Sequence, residues 1–230
     1  VPNGACLQIG IGGIPNAVAR HLFDKQDLGI HTEMLCDSLI DLYEAGAITC
    51  KRKSYLPLKW VASFAVGSQR LYDFMNENPM VEMHNSEIVN DPYIIGLNDN
   101  VVSINSTLEV DLTGQCASES LGTLQYSGAG GQMDFIEGAW RSKGGKAYLA
   151  TYSTYEDKEG KLHSKIVPTL TPGAQVTTPR GDVQYVVTEF GIAYLKGKNL
   201  RQRIEELIHI AHPDFRDSLR FEAKRLNYLP

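Results

Sequence analysis

The first part of the chain alternates between patterns typical of strands and patterns typical of helices. ACLQIGI is a short apolar run that ends in glycines, as a buried strand does. In IPNAVARHLFDKQD apolar residues recur at helical spacing, and Pro15 suits a first helical turn. LGIHTEM predicts a second strand, and CDSLIDLYEAG predicts a second helix, capped by Asp37 and closed by Gly46. This order of elements is typical of parallel α/β layering.

The rest of the chain continues in the same manner. ASFAVG predicts a strand and SQRLYDFMNENP a helix stopped by Pro79. VVSINSTLEVDLTG predicts one long strand, and KAYLATYSTYEDKEGKLHSKIVPTL predicts a hairpin of two strands joined by a charged turn. QYVVTEFG predicts a strand. NLRQRIEELIHIAHP predicts a helix with one apolar face, formed by Ile204, Leu207, Ile208 and Ala211. With no internal repeat or flexible linker, we expect a single α/β domain over residues 1–230 with a mixed sheet.

Composition places the chain among ordinary globular proteins. Of its 230 residues, 43% are hydrophobic and 21% are charged. The net charge of −5 argues against a nucleic-acid surface, which needs a basic stripe. No apolar run approaches the ~20 residues of a transmembrane helix, so we expect no membrane partner. The four cysteines are widely spaced and form no CxxC, which indicates reduced thiols and a cytoplasmic location.

The start of the chain is abrupt. It begins at Val1 without an initiator methionine, on a loop that leads straight into a strand, and no signal or transit segment is visible. From this start we expect a fragment of a longer protein. The pattern leaves the oligomeric state open, a homo-oligomer included.

Two glycine-rich loops each stand before a predicted helix. The first is QIGIGGIP (8–15) and the second is YSGAGGQMDF (126–135). Glycines there let a ligand approach the backbone, and helix N-terminal N–H groups can bind an anion or an oxyanion. The first spacing is neither a dinucleotide fingerprint nor a P-loop, and a tight turn explains either loop alone about as well. The pair favours a site that includes Gly128, Gly130 and Gly131. Asp134 is better explained as a residue of a helix N-terminus than as a catalyst.

The histidines, the cysteines and the basic clusters give weaker indications of a functional site. The six histidines show no metal-ligand spacing, so we expect no metal site, and no GxSxG elbow is present. Cys116 is a conceivable nucleophile, but no base lies near it in sequence, which favours a buried thiol. Basic clusters at 51–53, 141–146 and 196–203 are most often solvated surfaces, with a phosphate contact as the alternative.

One carboxylate stands among apolar neighbours in LGIHTEML (28–35). A carboxylate removed from water is costly unless it is hydrogen-bonded, paired or used for chemistry. Glu33 is therefore either the solvated end of a strand or a functional residue. This stretch alone favours the first interpretation.

Six segments together resemble the C-terminal half of the acetyl-CoA hydrolase/transferase family. They are LQIGIGGIPNAV, GIHTEM, EVDLTGQ, YSGAGGQMDF, IVPTLTPGAQVTTPRGDVQYVVTEFGIA and IAHPDFR. Within the family they resemble in particular the 4-hydroxybutyrate and butyryl-CoA:acetate CoA-transferases. The resemblance covers essentially all 230 residues. It implies a fold of the CoA-transferase type, an open mixed sheet flanked by helices, and a missing N-terminal half.

The resemblance also implies site residues. The glutamate of the family's HTE segment is the catalytic nucleophile and falls on Glu33. The family's first glycine loop lines the CoA site and falls on Gly10, Ile11, Gly12, Gly13 and Ile14. Its GGQ loop falls on Gly130, Gly131 and Gln132. Lys158, in the charged turn EDKEGK, is a weaker candidate for the CoA phosphates, since a solvated turn lysine explains it at least as well.

The implied reaction moves CoA from an acyl-CoA to a second acid without ATP. The Glu33 carboxylate attacks the thioester to form a mixed anhydride, and the released CoA thiolate converts the anhydride into a glutamyl-CoA thioester. A short-chain acid such as 4-hydroxybutyrate, butyrate or acetate then runs the sequence backwards. The apolar neighbours of Glu33 exclude water from the anhydride. Coenzyme A is a substrate in this scheme, and we expect no permanently bound cofactor.

Two alternatives stay open. An acyl-CoA hydrolase of the same family uses water as the final acceptor, so it releases CoA without added acetate. A catalytically silent domain binds CoA but does not turn it over, and calorimetry beside an activity assay separates binding from turnover.

The Glu33 route needs no thiol from the protein, so Cys116→Ala should keep CoA transfer within a few-fold of the unmodified protein. The measurement is the steady-state rate of CoA exchange between two acids. Complete loss of exchange in a well-folded Cys116→Ala protein would identify a thiol mechanism instead.

Overall fold

Two compact units, each made of two stretches of chain, form the structure. This computed structural model describes residues 1–10 and 12–230, apart from the side chain of Asn16. The first unit comprises Val1–Asn105 and Gly131–Ala147, and the second comprises Ser106–Gly130 and Tyr148–Pro230. The single domain expected over residues 1–230 stays a prediction.

The first unit contains short parallel strands and six helices among its described residues. Its strands are β1 (Cys6–Ile9), β2 (Gly29–Ile30), β3 (Met34–Leu35), β4 (Trp60–Ala62), β5 (Phe64–Ala65), β6 (Val81–Met83) and β7 (Val101–Ser106). Its helices are α1 (Gly13–Arg20), α2 (Asp37–Glu44), α3 (Gln69–Met75), α4 (Ser86–Val89), α5 (Pro92–Ile95) and α6 (Gln132–Arg141).

Strand β1 is the centre of the parallel pairing in this unit. It pairs with β2 through Cys6 and Gly29, and with β7 through Cys6 and Val101. All four residues of β1 are buried, as the apolar run predicts for a strand covered on both faces. The expected strand in ACLQIGI is therefore confirmed.

The expected strand LGIHTEM is wrong in one respect, because it is two strands. Strand β2 pairs with β1, whereas β3 pairs in parallel with β5 through Met34 and Phe64. Between them, the backbone N–H of His31 donates to the carbonyl oxygen of Leu7 at 3.1 Å, and His31 forms an isolated bridge to Val61. The backbone changes partners between β2 and β3, so a continuous apolar run is divided where Glu33 stands.

The predicted helices α1 and α2 are confirmed, with one corrected detail. The N-cap of α2 is Cys36, and Asp37 is the first helical residue. The carboxylate of Asp37 instead accepts hydrogen bonds from the backbone N–H and the hydroxyl of Ser68, both at 2.8 Å. Gly46, with a φ of 78°, follows the helix as expected.

The second unit contains most of the antiparallel pairing. Its strands are β8 (Glu109–Asp111), β9 (Cys116–Ala117), β10 (Ser120–Leu121), β11 (Leu124–Gln125), β13 (Thr154–Glu156), β14 (Leu162–Ser164), β15 (Ile166–Val167), β16 (Tyr185–Thr188) and β17 (Gly191–Tyr194). Strand β12 (Lys146–Ala150) begins before the unit and pairs in parallel with β16, which is antiparallel to β17. Its helices are α7 (Leu200–Ile210) and α8 (Pro213–Arg225).

Two strand expectations in this part of the chain need correction. VVSINSTLEVDLTG is not one strand, because it divides into β7 and β8 at Thr107, whose hydroxyl bonds the carbonyls of Glu109 and Ala117. Strand β8 then pairs with β9 and β15. The predicted hairpin is confirmed but is shorter, since β13 and β14 form it without β12.

Helix α7 buries the apolar face that the spacing of its residues predicts. Ile204, Leu207 and Ile208 are fully buried, and Asn199 with Gln202 forms a capping box at its start. Helix α8 was not among the predicted elements, although Pro213 at its first turn is a recognised start signal.

The α/β class, with mixed parallel and antiparallel pairing, is confirmed. All four cysteines are free and buried, as expected of reduced thiols. Over the residues that the structure describes, no helix is both long enough and apolar enough to cross a membrane.

Candidate active site

Glu33 lies in the gap between β2 and β3. Its carbonyl oxygen accepts hydrogen bonds from the backbone N–H groups of Ser63 at 3.0 Å and Phe64 at 3.2 Å. Its side chain is half-buried, while Met34 and Leu35 after it are buried. The break in the strand therefore fixes the backbone of Glu33 and leaves its carboxylate reachable from outside.

Two uncharged donors hold the Glu33 carboxylate. The side-chain Nδ2 of Asn90 donates to Oε1 at 2.9 Å, and the backbone N–H of Gly131 donates to Oε2 at 3.1 Å. Asn90 is the residue at which α4 ends, and Gly131 is the N-cap of α6. Each oxygen thus accepts a hydrogen bond, which offsets the cost of partial burial without an ion pair among the described residues.

His31 connects the Glu33 segment to the end of α4. Its Nε2 lies 2.9 Å from the carbonyl oxygen of Val89, and its Nδ1 lies 3.3 Å from Nδ2 of Asn98. Burial lowers the pKa of His31 to about 4, so the ring is neutral, donates from Nε2 to the carbonyl and accepts at Nδ1. Because Val89 precedes Asn90, this contact fixes the residue that holds Glu33.

A buried lysine supports the strand before His31. Nζ of Lys53 donates to the carbonyl oxygens of Ile30 at 2.8 Å and Lys59 at 2.7 Å, and burial lowers its pKa. The loop that carries Lys53 is strained, because Leu56 and Leu58 have φ values of 48° and 67°. Through the hydrogen bond from Lys53 to Ile30, this loop fixes the end of β2.

The first glycine loop is only partly available to a ligand. The N–H of Gly10 donates to the carbonyl of Ile104 at 2.8 Å, so it belongs to the sheet. A Cβ at Gly10 would lie 2.5 Å from Oδ1 of Asn105, which explains the glycine by close packing. Ile11 lies outside the described residues.

The second half of that loop has the geometry of an anion site. Gly12 is the N-cap of α1 with a φ of 125°, and Gly13 and Ile14 open the helix, where N–H groups lack acceptors within the helix. Gly12 also lines a cavity of about 340 Å³ together with Met34 and Cys36. The loop therefore lies beside the strand that follows Glu33.

The second glycine loop contributes one residue whose contact with Glu33 is seen directly. Gly131 has no room for a side chain, since a Cβ there would lie 2.5 Å from Nδ2 of Asn90 and 3.1 Å from Cδ of Glu33. Gln132 is the first residue of α6. Gly128 and Gly130, the latter with a φ of 58°, belong to the second unit, and their part in a site stays a prediction.

Two further candidates, Lys158 and Cys116, belong to the second unit. Lys158 is exposed in the turn between β13 and β14, and its role stays a prediction. Cys116 is fully buried, and burial raises its pKa, which suits an inert thiol. Among the described residues, no group of three or more His, Cys, Asp or Glu side chains has the geometry of a metal site.

Sequence reasoning did not single out Asn90 or the role of His31. Asn90 closes the four-residue helix α4, which is too short to show a periodic pattern. His31 stands two residues before Glu33, so the family segment HTE was the available signal for it.

A family model and individual relatives match this chain. The model described as the acetyl-CoA hydrolase/transferase C-terminal domain matches residues 67–223. The chain is 59% identical over 227 residues to the succinyl-CoA:cyclohexane-1-carboxylate CoA transferase of Geobacter metallireducens, covering 99% of this chain and 51% of that protein. It is 54% identical over 225 residues to the 4-hydroxybutyrate coenzyme A transferase of Clostridium kluyveri, covering 98% and 52%.

A solved structure confirms the expected type of fold. The 4-hydroxybutyrate CoA-transferase of Porphyromonas gingivalis superposes with a TM-score of 0.83 at 46% identity, covering 98% of this chain and 52% of that one. The chain spans about half the length of the curated relatives it matches. Glu33 lies before the segment matched by the family model but within the near full-length matches to the relatives.

The neutral state of His31 predicts a specific loss of stability in acid. The unfolded chain protonates this histidine below pH 6.5, whereas the folded chain resists protonation down to about pH 4. Its contribution is therefore intact above pH 6.5 and decreases as the pH falls through that window. Between pH 7 and pH 5 we expect a loss of roughly 2 kcal/mol in the free energy of unfolding.

Urea unfolding at the two pH values measures this loss. His31→Gln, which cannot take up the proton, should show a pH dependence smaller by that amount. His209→Gln, at an exposed position of α7, serves as the matched control and should keep the full dependence. An unchanged pH dependence in His31→Gln would contradict the assignment.

Proposed function

This chain belongs to the acetyl-CoA hydrolase/transferase family, and we propose that it carries the nucleophilic glutamate of a CoA-transferase. The two relatives described above are both named as CoA transferases and share more than half of their aligned residues with this chain. In the proposed reaction, CoA passes from an acyl-CoA to a short-chain carboxylic acid, such as 4-hydroxybutyrate, butyrate or acetate. The route is a ping-pong exchange through a glutamyl-CoA thioester on Glu33.

The observation that carries this proposal is the setting of the Glu33 carboxylate. Both oxygens are held, by Asn90 and Gly131, yet the residue is not fully buried. Both donors are uncharged, and among the described residues no ion pair ties up Glu33. A carboxylate held by neutral donors keeps its charge available for attack, whereas a salt bridge would stabilise the ionised ground state more strongly.

The same two donors serve the second half of the reaction. When the CoA thiolate attacks the anhydride at the Glu33 carbon, negative charge develops on the glutamyl oxygen. The N–H of Gly131 and the amide of Asn90 already point at those oxygens, so they need little rearrangement to stabilise that charge. They act on the glutamyl carbon, whereas the acyl carbon of the substrate needs separate donors.

We assign those separate donors to the glycine loop before α1. The N–H groups of Gly12, Gly13 and Ile14 are proposed to face the thioester oxygen or the CoA chain, since they open a helix beside the strand after Glu33. Gly10 is a further proposed contact to CoA, made through its Cα or carbonyl because its N–H donates to Ile104. Ile11, Gly128, Gly130, Gln132 and Lys158 are further proposed contacts to CoA.

The setting of the reaction is also part of the proposal. Coenzyme A acts as a substrate, with no permanently bound cofactor, and the partners are an acyl-CoA and a carboxylic acid. The half of the relatives' length that this chain does not span is proposed to contribute to the acid site. We propose a cytoplasmic location.

Substitution of Glu33 tests the nucleophile. In the full-length protein, Glu33→Gln should abolish CoA exchange, because an amide cannot form the anhydride although its shape is similar. Glu33→Asp should lose about 10²-fold or more, because the shorter side chain withdraws the nucleophile by roughly 1 Å. The measurement is exchange of CoA between labelled acetate and butyryl-CoA.

Three outcomes would redirect the assignment. Exchange by freshly prepared, non-deamidated Glu33→Gln would eliminate Glu33 as the nucleophile. Release of CoA without any added acid would identify a hydrolase, whereas calorimetric binding of CoA without turnover would identify a silent binding domain.

Gly131→Ala tests the donor arrangement without changing a reactive group. The φ of Gly131 is −88°, which alanine adopts freely, so only the added Cβ matters. That Cβ would displace the Asn90 amide and crowd Glu33. We expect a loss of about 10²-fold or more in the exchange rate with thermal stability little changed.

Gly181→Ala is the matched control, because a Cβ at Gly181 meets nothing within 4 Å. It should exchange CoA at the unmodified rate. Near-normal exchange by Gly131→Ala would show that the contacts of Gly131 and Asn90 with Glu33 do not matter to turnover.

A further inference from the structure

The second unit contains a cavity of about 280 Å³ whose described lining residues all belong to that unit. The cavity lies among residues of β8, the β13–β14 hairpin, β15 and α8. Its apolar lining residues are Leu108, Leu121, Leu162, Val167 and Phe215. Its lining residues with an ionisable acid or base are Glu109, Lys161, His163 and Lys165, beside Tyr155. The volume is just below the range of cavities for drug-sized ligands, so it suits a smaller molecule.

Lys165 has a fixed backbone and an unpaired ammonium group. Its N–H donates to the carbonyl of Ser153 at 2.8 Å, and its carbonyl accepts from the N–H of Val110 at 2.9 Å. The residue is partly buried, and its Nζ forms no ion pair or hydrogen bond with any described residue. The carboxylate of Glu189 attracts Lys165 from further away, but that carboxylate accepts hydrogen bonds from Ser153 at 2.6 and 2.9 Å. Burial lowers the pKa of Lys165, as is typical of an ammonium group without a counterion.

Lys161 provides a second cation on the β13–β14 hairpin. Its N–H donates to Oδ1 of Asp157 at 2.9 Å, whereas its exposed Nζ forms no ion pair within the described part of the chain. Nε2 of His163 lies 2.6 Å from Oδ2 of Asp157, and the His163 ring stacks on Tyr155 with 5.1 Å between the ring centroids. These contacts hold the hairpin by itself, so this wall of the cavity is formed without a ligand.

Glu109 is the one acidic residue among the described lining residues. It is buried, its Oε1 accepts from the N–H of Thr171 at 2.8 Å, and its Oε2 accepts from the Thr171 hydroxyl at 2.9 Å. Uncharged donors therefore satisfy this carboxylate, and it forms no ion pair with Lys161 or Lys165. The described lining has two ammonium groups against one carboxylate, and both ammonium groups remain available.

The lining points to a ligand with one anionic end and a short apolar chain. A partly buried ammonium group without a counterion is costly, and an anion beside it would offset that cost. Inorganic phosphate or sulfate would use the two lysines but gain nothing from the apolar residues. An aliphatic chain would remove those residues from water, which is favourable.

We propose that this cavity binds a short-chain aliphatic carboxylate, with the anionic end at Lys161 and Lys165 and the chain against the apolar lining residues. The binding is non-covalent, so no bond forms or breaks. The inference goes beyond the proposed function, and it does not depend on Glu33 as the nucleophile.

Amine labelling of the full-length protein tests the site, with butyrate as the probe. An N-hydroxysuccinimide ester modifies accessible lysines, and peptide mass spectrometry gives the labelling rate of each one during a butyrate titration at constant ionic strength. At a butyrate concentration about ten times its dissociation constant, labelling of Lys165 should fall about tenfold, because roughly one-tenth of the sites stay empty. Lys161 should be protected over the same concentration range.

Two further compounds separate the two parts of the ligand. 1-Butanol has the chain without the charge and should not protect Lys165. Phosphate has charge without a chain and should protect it more weakly than butyrate does. Lys224, exposed on α8 and absent from the lining, is the matched control, and its labelling should not respond to butyrate.

Substitution of Lys165 tests the cation directly. Lys165→Met keeps most of the stem but removes the charge, so butyrate should no longer protect Lys161. Lys165→Arg keeps the charge and should retain that protection, as should the control Lys224→Met. Thermal unfolding checks that each variant is folded, and the labelling of the unmodified protein needs no variant.

Four results would overturn the proposal. The first is unchanged labelling of Lys165 at every butyrate concentration. The second is equal protection of Lys224, which would indicate a general ionic effect. The third is protection by 1-butanol or phosphate as strong as that by butyrate. The fourth is protection of Lys161 that persists in folded Lys165→Met.

Discussion

The constraint on which the proposed site depends is a partly buried carboxylate, Glu33, that has no ion pair among the described residues. In the proposed reaction, hydration by water or neutralisation by a cation would reduce the ability of this carboxylate to attack a thioester. Glu33 is held instead by one side-chain amide and one backbone N–H. Uncharged donors lower the cost of burial without removing the charge.

That constraint explains why distant parts of the chain meet at Glu33. The gap between β2 and β3 fixes its backbone, the end of α4 supplies Asn90, and the start of α6 supplies Gly131. Buried contacts then fix these elements, with His31 bonded to the carbonyl before Asn90 and Lys53 bonded to the strand before His31. Such support matters because a displacement of about 1 Å at a reacting group can cost about 10²-fold in rate.

Sequence patterns predicted β1 from a short apolar run that is buried on both faces, and predicted α7 from apolar residues that recur on one helical face. They did not predict the division of LGIHTEM into β2 and β3. These two strands pair with different neighbours, and an apolar run in the sequence does not indicate with which strand each part pairs. The role proposed for Glu33 comes from the family resemblance, because its neighbours in the sequence alone favour the solvated end of a strand. Asn90 was missed because its role comes from a contact with a residue 57 positions away, and local pattern carries no information on such a contact.

The fate of the Glu33 oxygens tests the central claim most directly. If the full-length protein turns over acetyl-CoA with ¹⁸O-labelled acetate, the labelled acid attacks the glutamyl-CoA thioester and leaves its bridging oxygen on Glu33. Mass spectrometry of the peptide that contains residue 33 should then show ¹⁸O in the Glu33 carboxylate, in proportion to turnover. CoA exchange that proceeds while this carboxylate stays unlabelled would contradict the account.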